Sequence, residues 1–273
     1  MTFLARNLPQ SIWTKLPKSE LHCHLDGSMR VETVIELAEM YDVSIPTTDV
    51  EELRNYLTVP FECLSLIDYL KGFAVTCSVL QNAYALKRTT YEICEDAAKD
   101  GVRYLEIRFA PSLHTQKNLS ATGAVDAVCA GAMLAEHKLP ITVRIIVCAM
   151  RHESSSLALA IAEIAWRYRN RGVVGFDLAG PEDGFPPANH KEAYDIIRSR
   201  GLNVTVHAAE ASGWESARDA MLYCGAKRLG HGVRIQENPE FASFVATSNV
   251  LLEVCPTSNV QTKSIKELED HPF

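Results

Sequence analysis

Four histidines stand at the ends of strand-like segments, where their spacing could serve metal chemistry. His22 and His24 are two residues apart in the segment SELHCH, so in a strand both imidazoles point to the same face. His207 ends a second run, LNVTVHAAE, and His231 lies in a third, RLGHGV. A pair of histidines alone is more often structural. Three strand-like segments that each finish in histidine favour one shared metal site.

Imidazole nitrogens are typical ligands of zinc, and a site with three protein ligands leaves a position open for water. A zinc ion bound there would lower the pKa of that water towards neutrality, although these residues alone leave cobalt or manganese open. Glu210, three residues after His207, is expected to transfer a proton, the alternative being a helix cap or an exposed acid. His231, between two glycines, is expected to bind the metal or to act as a base.

The composition restricts the class of protein. The chain has 273 residues, of which 47% are apolar and 22% are charged, as in a globular protein of one domain, here residues 1–273. A net charge of -7 without a basic run argues against a nucleic-acid partner. The sequence shows no secretory signal and no run that could span a bilayer, so we expect a cytoplasmic protein. Its eight cysteines form no Cys-x-x-Cys pair, which predicts reduced thiols.

Short β-rich runs alternate with longer helical patterns, which is typical of an α/β fold with parallel strands. Strands are predicted at 19–24, 103–109, 141–149, 172–178, 202–208, 228–233 and 249–254. Helices are predicted at 31–41, 62–75, 82–99, 154–170, 188–200, 212–224 and 237–246.

A TIM-type (β/α)8 barrel fits this pattern best, with a doubly wound open sheet as the alternative. The polar residues at several strand ends would meet at one rim of a barrel. An open sheet would place its ligand at a single switch point and would not bring these ends together.

Six motifs, in chain order, resemble those of the adenosine deaminase family, a zinc-dependent group within the amidohydrolase superfamily. They are LPKSELHCHLDGS, EIRFAP, DLAGPE, VHAAE, RLGHG and LEVCPTSN. The resemblance runs from about Leu16 to the last residues. It implies hydrolytic deamination of adenosine and 2'-deoxyadenosine at purine C6, which gives inosine or 2'-deoxyinosine and ammonia. It also implies a small purine nucleoside as the partner and a place in purine metabolism.

The same resemblance implies a role for each matching residue. One Zn²⁺ per chain would be bound by His22, His24 and His207, while Glu210 would protonate purine N1 and His231 would orient or deprotonate the water. The substrate would contact His24, the carboxylate of Asp26 through its 5'-hydroxyl, and the backbone of Gly180. An apolar subsite would be lined by Leu66, Tyr69, Leu70 and Phe73, although apolar residues at helical spacing are equally typical of a core face.

Three other charged residues are expected outside the site. Glu106 and Arg108 alternate on one strand and are expected to form a buried ion pair in the barrel. Asp177 could lie behind the metal ligands or cap the following turn, and it is given no role.

The sequence departs from the family pattern in two places. Ala209 stands where the family usually has glycine, and a positive φ there would add strain. The chain ends at Phe273, before the family's Ser-Leu-Asn-Thr-Asp-Asp segment, which supplies a fourth zinc ligand and a neighbouring aspartate. We therefore expect a barrel domain incomplete at its C-terminus, with seven of eight strands and two open edges. Glu253 is not expected to replace the missing ligand.

Other functions remain open. A catalytically silent purine-binding fragment or isoform would explain the missing carboxylates. An adenine deaminase is the nearest alternative enzyme, but Asp26 argues against it because a free base has no 5'-hydroxyl. A two-metal hydrolase of the superfamily would commonly use a lysine on the fourth strand, which GVVGFDLAG lacks. The Pro-Cys-x-x-Cys pattern of cytidine deaminases is also missing. The sequence gives no indication of the oligomeric state.

Overall fold

The computed structural model describes residues 9–58 and 65–273, except for the side chains of residues 10, 11, 67–69 and 71. Its strands are β1 Lys18–His24, β2 Val102–Phe109, β3 Thr142–Met150, β4 Val173–Ala179, β5 Asn203–Val204, β6 Val206–Ala208, β7 Arg228–His231 and β8 Leu251–Glu253. Strands β1 to β5 form one sheet and β6 to β8 a second, each in chain order. Every pairing between described strands is parallel, as expected for this fold class.

Strands β5 and β6 are two parts of one barrel strand, because only Thr205 separates them. The amide of Thr205 donates to the carbonyl of Phe176 on β4 at 3.0 Å, so pairing with β4 continues across the interruption. The predicted run at 202–208 is thus a single strand position, and the described strands occupy the seven positions that the sequence predicts.

Helices separate most of the strands. They are α1 Gln10–Trp13, α2 Val31–Tyr41, α3 Val50–Leu57, α4 Leu66–Val79, α5 Ala83–Lys99, α6 Ala121–Lys138, α7 Ser155–Arg167, α8 Lys191–Ser199, α9 Trp214–Tyr223, α10 Pro239–Thr247 and α11 Pro256–Gln261. Side-chain caps define several of their starts. The Ser154 hydroxyl accepts from the amide of Leu157 at 3.2 Å, and Asn238 accepts from Phe241 at 3.0 Å.

The predicted bounds hold closely for α2 and α5, and the later strands and helices lie within a few residues of their predicted limits. Part of the predicted helix 62–75 falls on residues 62–64, outside the described residues; the rest corresponds to α4. No helix was predicted at the positions of α1, α3, α6 and α11.

Strands β2, β3 and β4 are largely buried on both faces, which explains their continuous apolar sequence. In β3, Val143, Ile145, Ile146 and Val147 are all buried against the surrounding helices or the barrel interior. Because the strands are parallel, their carboxyl ends lie at one rim, where His24, Ala208 and His231 end their strands.

Two backbone features shape this rim. Ala209 has φ +55° and its side chain is fully buried, so the strained conformation expected at this position is present. His231 also has a positive φ, +67°, as does the following Gly232. Strands β6 and β7 therefore each end in a sharp turn at the rim.

The described cysteines form no disulfide with one another, and Cys63 lies outside the described residues. No helix in the described part of the chain is both long and apolar enough to cross a membrane.

Candidate active site

Four imidazoles meet at the rim. The ring centroid of His22 lies 4.7 Å from that of His207 and 4.8 Å from that of His231. The Nε2 atoms of His24 and His207 are 3.1 Å apart. Ring nitrogens of His22, His207 and His231 all lie within 4.8 Å of one another. The structure thus brings the four singled-out histidines together, and the set selected by distance contains His231 where the resemblance has His24.

This donor set fits a zinc ion. Two imidazole nitrogens that bind one zinc tetrahedrally lie about 3.3 Å apart at the usual Zn–N length. The two Nε2 atoms of His24 and His207 face each other at 3.1 Å, close to that separation. Burial, followed by charged neighbours such as Arg108 and His207, lowers the pKa of His22 and His24 well below 6.5. Both rings are therefore neutral, which is the form that binds a metal.

Two carboxylates contact the Nδ1 atoms of His22 and His207. The Nδ1 of His22 lies 2.9 Å from an oxygen of Glu253, and the Nδ1 of His207 lies 2.9 Å from Oδ2 of Asp177. Both carboxylate side chains are completely buried. Such contacts fix the orientation of each ring and leave its Nε2 directed at the cluster.

Arg108 connects the two carboxylates. Its guanidinium, also fully buried, donates to Oδ2 of Asp177 at 2.8 Å, to Glu253, and to the carbonyl of Leu21 at 2.8 Å. Burial opposes the charged form of Asp177, yet His207 and Arg108 hold the pKa of this carboxyl well below its ordinary value. The network therefore keeps the carboxylate of Asp177 negatively charged behind the histidines.

The prediction of an ion pair between Glu106 and Arg108 is wrong. Glu106 instead accepts from Arg228 at 2.7 Å and from the Tyr104 hydroxyl at 2.7 Å. Arg108 is two residues nearer the rim along β2, and its long side chain meets the carboxylates beneath the histidines.

Glu210 occupies the cavity wall beside His231. One oxygen lies 3.3 Å from Nε2 of His231, and the other accepts from the Thr262 hydroxyl at 3.2 Å. Burial, together with the nearby charge of Glu182, raises the pKa of Glu210 to about 8. The carboxyl is thus protonated at neutral pH in this environment and can serve as a general acid.

The histidines form the floor of a cavity of about 560 Å³, a size typical of small-molecule sites. Of the residues predicted to contact substrate, those that line it are His24, Asp26, Leu66, Leu70, Phe73 and Gly180. The side chain of Tyr69 lies outside the described residues.

Asp26 and Gly180 each have a feature suited to ligand contact. Asp26 is buried, and its Oδ2 contacts the Cys77 thiol at 3.5 Å, while Oδ1 has no hydrogen-bond partner among the described residues. Gly180 has φ +97°, and a Cβ there would lie 3.0 Å from Met150 Cε. A side chain at this position would therefore be strained and would crowd the cavity wall.

Sequence reasoning assigned no role in the site to several residues that support it. They are Asp177 and Glu253 behind the histidines, Glu182 near Glu210, Asn259 at 3.0 Å from His231 Nδ1, and Thr262. Asp177 was visible as a polar residue near a strand end. Asn259 and Thr262 lie beyond the final described strand. Asn259 ends the LEVCPTSN motif but was given no role, and no local pattern marks Thr262.

Residues 17–273 match the model of the adenosine deaminase family, nearly the whole chain. The chain belongs to this family. A Dictyostelium discoideum protein named probable adenosine deaminase is 51% identical over 258 residues, covering 94% of this chain and 33% of that protein. An adenosine deaminase of Mycobacterium avium is 44% identical over 281 residues, covering 95% of this chain and 76% of that protein. The chain thus spans about a third of the first relative and about three quarters of the second.

Solved structures of similar proteins confirm the predicted α/β barrel of TIM type. An adenine deaminase of Arthrobacter aurescens superposes with a TM-score of 0.86 at 28% identity, covering 93% of this chain and 76% of that one. A zinc-bound amidohydrolase of Burkholderia ambifaria gives 0.85 at 27% identity, covering 96% and 72%. An Arabidopsis ADAL protein complexed with GMP gives 0.83 at 27% identity, covering 96% and 77%.

Proposed function

We propose that this chain carries the site for hydrolytic deamination of adenosine and 2'-deoxyadenosine, with inosine or 2'-deoxyinosine and ammonia as products. The observation that carries the proposal is the placement of Glu210. A protonated, buried carboxyl lies beside His231, next to the histidine cluster, on the wall of a cavity of about 560 Å³. Amidine hydrolysis needs this combination of an activated water and a proton donor for the ring nitrogen.

His22, His24 and His207 would hold one zinc ion, which when bound supplies a water activated for attack on C6. The amidohydrolase neighbour from Burkholderia ambifaria was solved with bound Zn. Asp177 and Glu253 keep the rings of His207 and His22 in their ligand orientation.

The proton steps fall to Glu210 and His231. Glu210 would give its proton to purine N1, so that the ring accepts electrons as the water attacks. Thr262 donates to the other carboxyl oxygen of Glu210 and so fixes the rotation of the group. His231, held by Asn259 at 3.0 Å on its Nδ1, would direct Nε2 at the attacking water and orient it.

The cavity suits an uncharged nucleoside better than a nucleotide. Glu20 and Asp26 both line it, while no lysine or arginine does so among its described lining residues. A 5'-phosphate would meet acidic groups without a compensating cation. The free oxygen of Asp26 could instead accept a hydrogen bond from a ribose 5'-hydroxyl.

The apolar part of the cavity would receive the purine ring and the sugar face. Leu66, Leu70 and Phe73 on α4 line it, and Tyr69 on the same helix is proposed to join them. The Phe73 ring stands edge-on to His24, with centroids 6.5 Å apart. Gly180 would offer its backbone to the purine from the opposite wall.

The test is adenosine turnover by the purified chain with added zinc, followed as loss of ultraviolet absorbance. Formation of inosine supports the proposal. Zinc binding with no change in adenosine contradicts it. Calorimetry with inosine then separates two cases. A catalytically silent purine-binding protein gives a measurable heat of binding without turnover, whereas a chain that binds no purine gives no heat of binding.

Adenine deamination is the second candidate, favoured by the similarity to the Arthrobacter aurescens enzyme. An Asp26→Ala variant separates the two because only the nucleoside has a 5'-hydroxyl. We expect the KM for adenosine to rise far more than the KM for adenine. Equal effects on both would remove the argument for a nucleoside.

A further inference from the structure

Glu182 binds four consecutive backbone amides with one carboxylate. It lies in the loop after β4, is only 5% exposed, and faces the turn that follows β6. One oxygen accepts from the amide of Ala209 at 2.6 Å. The other accepts from the amides of Glu210, Ala211 and Ser212 at 3.0, 2.7 and 2.9 Å.

This arrangement depends on an unusual backbone. Successive N–H groups can converge on one point where the chain changes handedness, as in the anion-binding concavities formed by short turns. Ala209 supplies that change with its φ of +55°. A non-glycine residue holds this conformation only where its surroundings determine it. The Glu182 carboxylate provides that determination through the Ala209 amide.

The carbonyl side of the same turn is also held. The amide of Arg234 donates to the carbonyl of Ala209 at 2.9 Å, and its guanidinium donates to the carbonyl of Ala211. Arg234 alone therefore fixes two carbonyls, while Glu182 fixes the amides. The segment 209–212 is bound from both sides, with Glu210 in its centre.

We propose that Glu182 is a positioning residue, which sets the 209–212 turn so that the carboxyl of Glu210 faces His231 and the cavity. The role of Glu210 rests on the proposed function. Glu182 binds the backbone amide of Glu210 itself, so it controls the direction of that residue's Cα–Cβ bond. Glu182 is not among the described residues that line the cavity, and therefore acts through Glu210.

A carboxylate is required because all four partners are donors. In a Glu182→Gln variant one of the two oxygens becomes an NH₂ group, which is itself a donor. At least one backbone amide would then face another donor, and the turn would loosen. A Glu182→Asp variant keeps two acceptor oxygens but shortens the side chain by one methylene.

The first experiment is hydrogen–deuterium exchange on the zinc-loaded wild type and Glu182→Gln. We expect exchange at 209–212 to quicken by roughly tenfold or more, while β2 to β4 remain protected. The matched control is Glu136→Gln, because Glu136 also accepts a backbone amide, that of Val143 at 3.0 Å, but lies away from the cavity. Unchanged exchange at 209–212 in Glu182→Gln overturns the proposal.

The second experiment is steady-state kinetics with adenosine. A misplacement of about 1 Å can cost on the order of 10²-fold in rate, so kcat should fall by about that factor while KM changes little. Zinc content should match the wild type, and Glu182→Asp should recover part of kcat. Faster exchange with an unchanged kcat overturns the positioning role.

The two experiments separate this inference from the proposed function. A wild-type chain without activity contradicts the proposed function, whereas the exchange measurement decides the contact of Glu182 with the turn in either case. Should Glu182→Gln not fold, Glu182→Asp is compared with the wild type. Its exchange at 209–212 should quicken and its kcat should fall together, and either change without the other overturns the proposal.

Discussion

Replacing Asp177 with asparagine should weaken zinc binding without disturbing the shape of the site. Both oxygens of Asp177 are already used. Oδ1 accepts from the amide of Leu178 at 2.7 Å, while Oδ2 contacts Arg108 and His207 at 2.8 and 2.9 Å. Asparagine has nearly the same size but no charge, and its NH₂ group must face one of these donors.

The magnitude follows from these contacts. Loss of a group that orients a metal-bound histidine typically lowers metal affinity by about 10- to 100-fold, or roughly 1.4 to 2.8 kcal/mol. Breaking a buried ion pair costs about 3–5 kcal/mol of folding free energy. Because Arg108 keeps Glu253, we expect the loss of stability to fall at or below the lower end of that range.

Two measurements check this prediction. Competition with a chelator of known affinity gives the zinc Kd, and urea unfolding of the metal-free chain gives the stability. Asp195→Asn is the control, since Asp195 pairs with Lys191 at an exposed position and should change neither quantity. A zinc Kd within twofold of wild type in Asp177→Asn would refute the idea that this carboxylate supports the metal site.

Three further predictions concern Glu210 and its turn. Glu210→Gln should lower kcat for adenosine by about 10²–10⁴-fold with a small effect on KM, as measured by the absorbance assay. A change in kcat of less than threefold would contradict the role of Glu210 as proton donor. The folded-state pKa of Glu210 is raised from 4.5 to about 8, so in the metal-free chain the native state holds a proton that the unfolded state has lost. The free energy of unfolding should therefore decrease as pH rises from 4.5 towards about 8, and Glu210→Gln should remove this slope in urea titrations. Ala209→Gly should raise the free energy of unfolding by up to about 1 kcal/mol. The reason is that relief of the left-handed strain at φ +55° outweighs the added freedom of the unfolded chain. A destabilised variant would show that this conformation is not strained here.

The fold was predictable where the pattern of the sequence was strong. The continuous Val/Ile runs of β3 and the regular alternation of later strands and helices indicated parallel strands, and the structure has them. Helix α6 escaped prediction because its buried side is mostly small, with Ala124, Ala127 and Ala132 among its contacts. Alanine gives little contrast between a buried and an exposed face, so the helical period is faint.

The site was predictable only in part, for a related reason. Histidines at strand ends are visible one at a time, and parallel strands bring such ends together. Which carboxylate faces which ring is a matter of pairing across the fold. His22 meets Glu253 across 231 positions of sequence, and the four amides that bind Glu182 begin 27 positions after it. No local spacing encodes such contacts.

The histidine cluster spans both sheets, since His22 lies on β1 while His207 and His231 lie on β6 and β7. An ion shared by these rings would act as a cross-link that joins the first strand of the chain to the late ones. The unfolded chain has no such preformed site, so metal affinity and folding free energy are thermodynamically linked. The concentration of free zinc should then determine how much of this protein is folded, and not only how much of it is active.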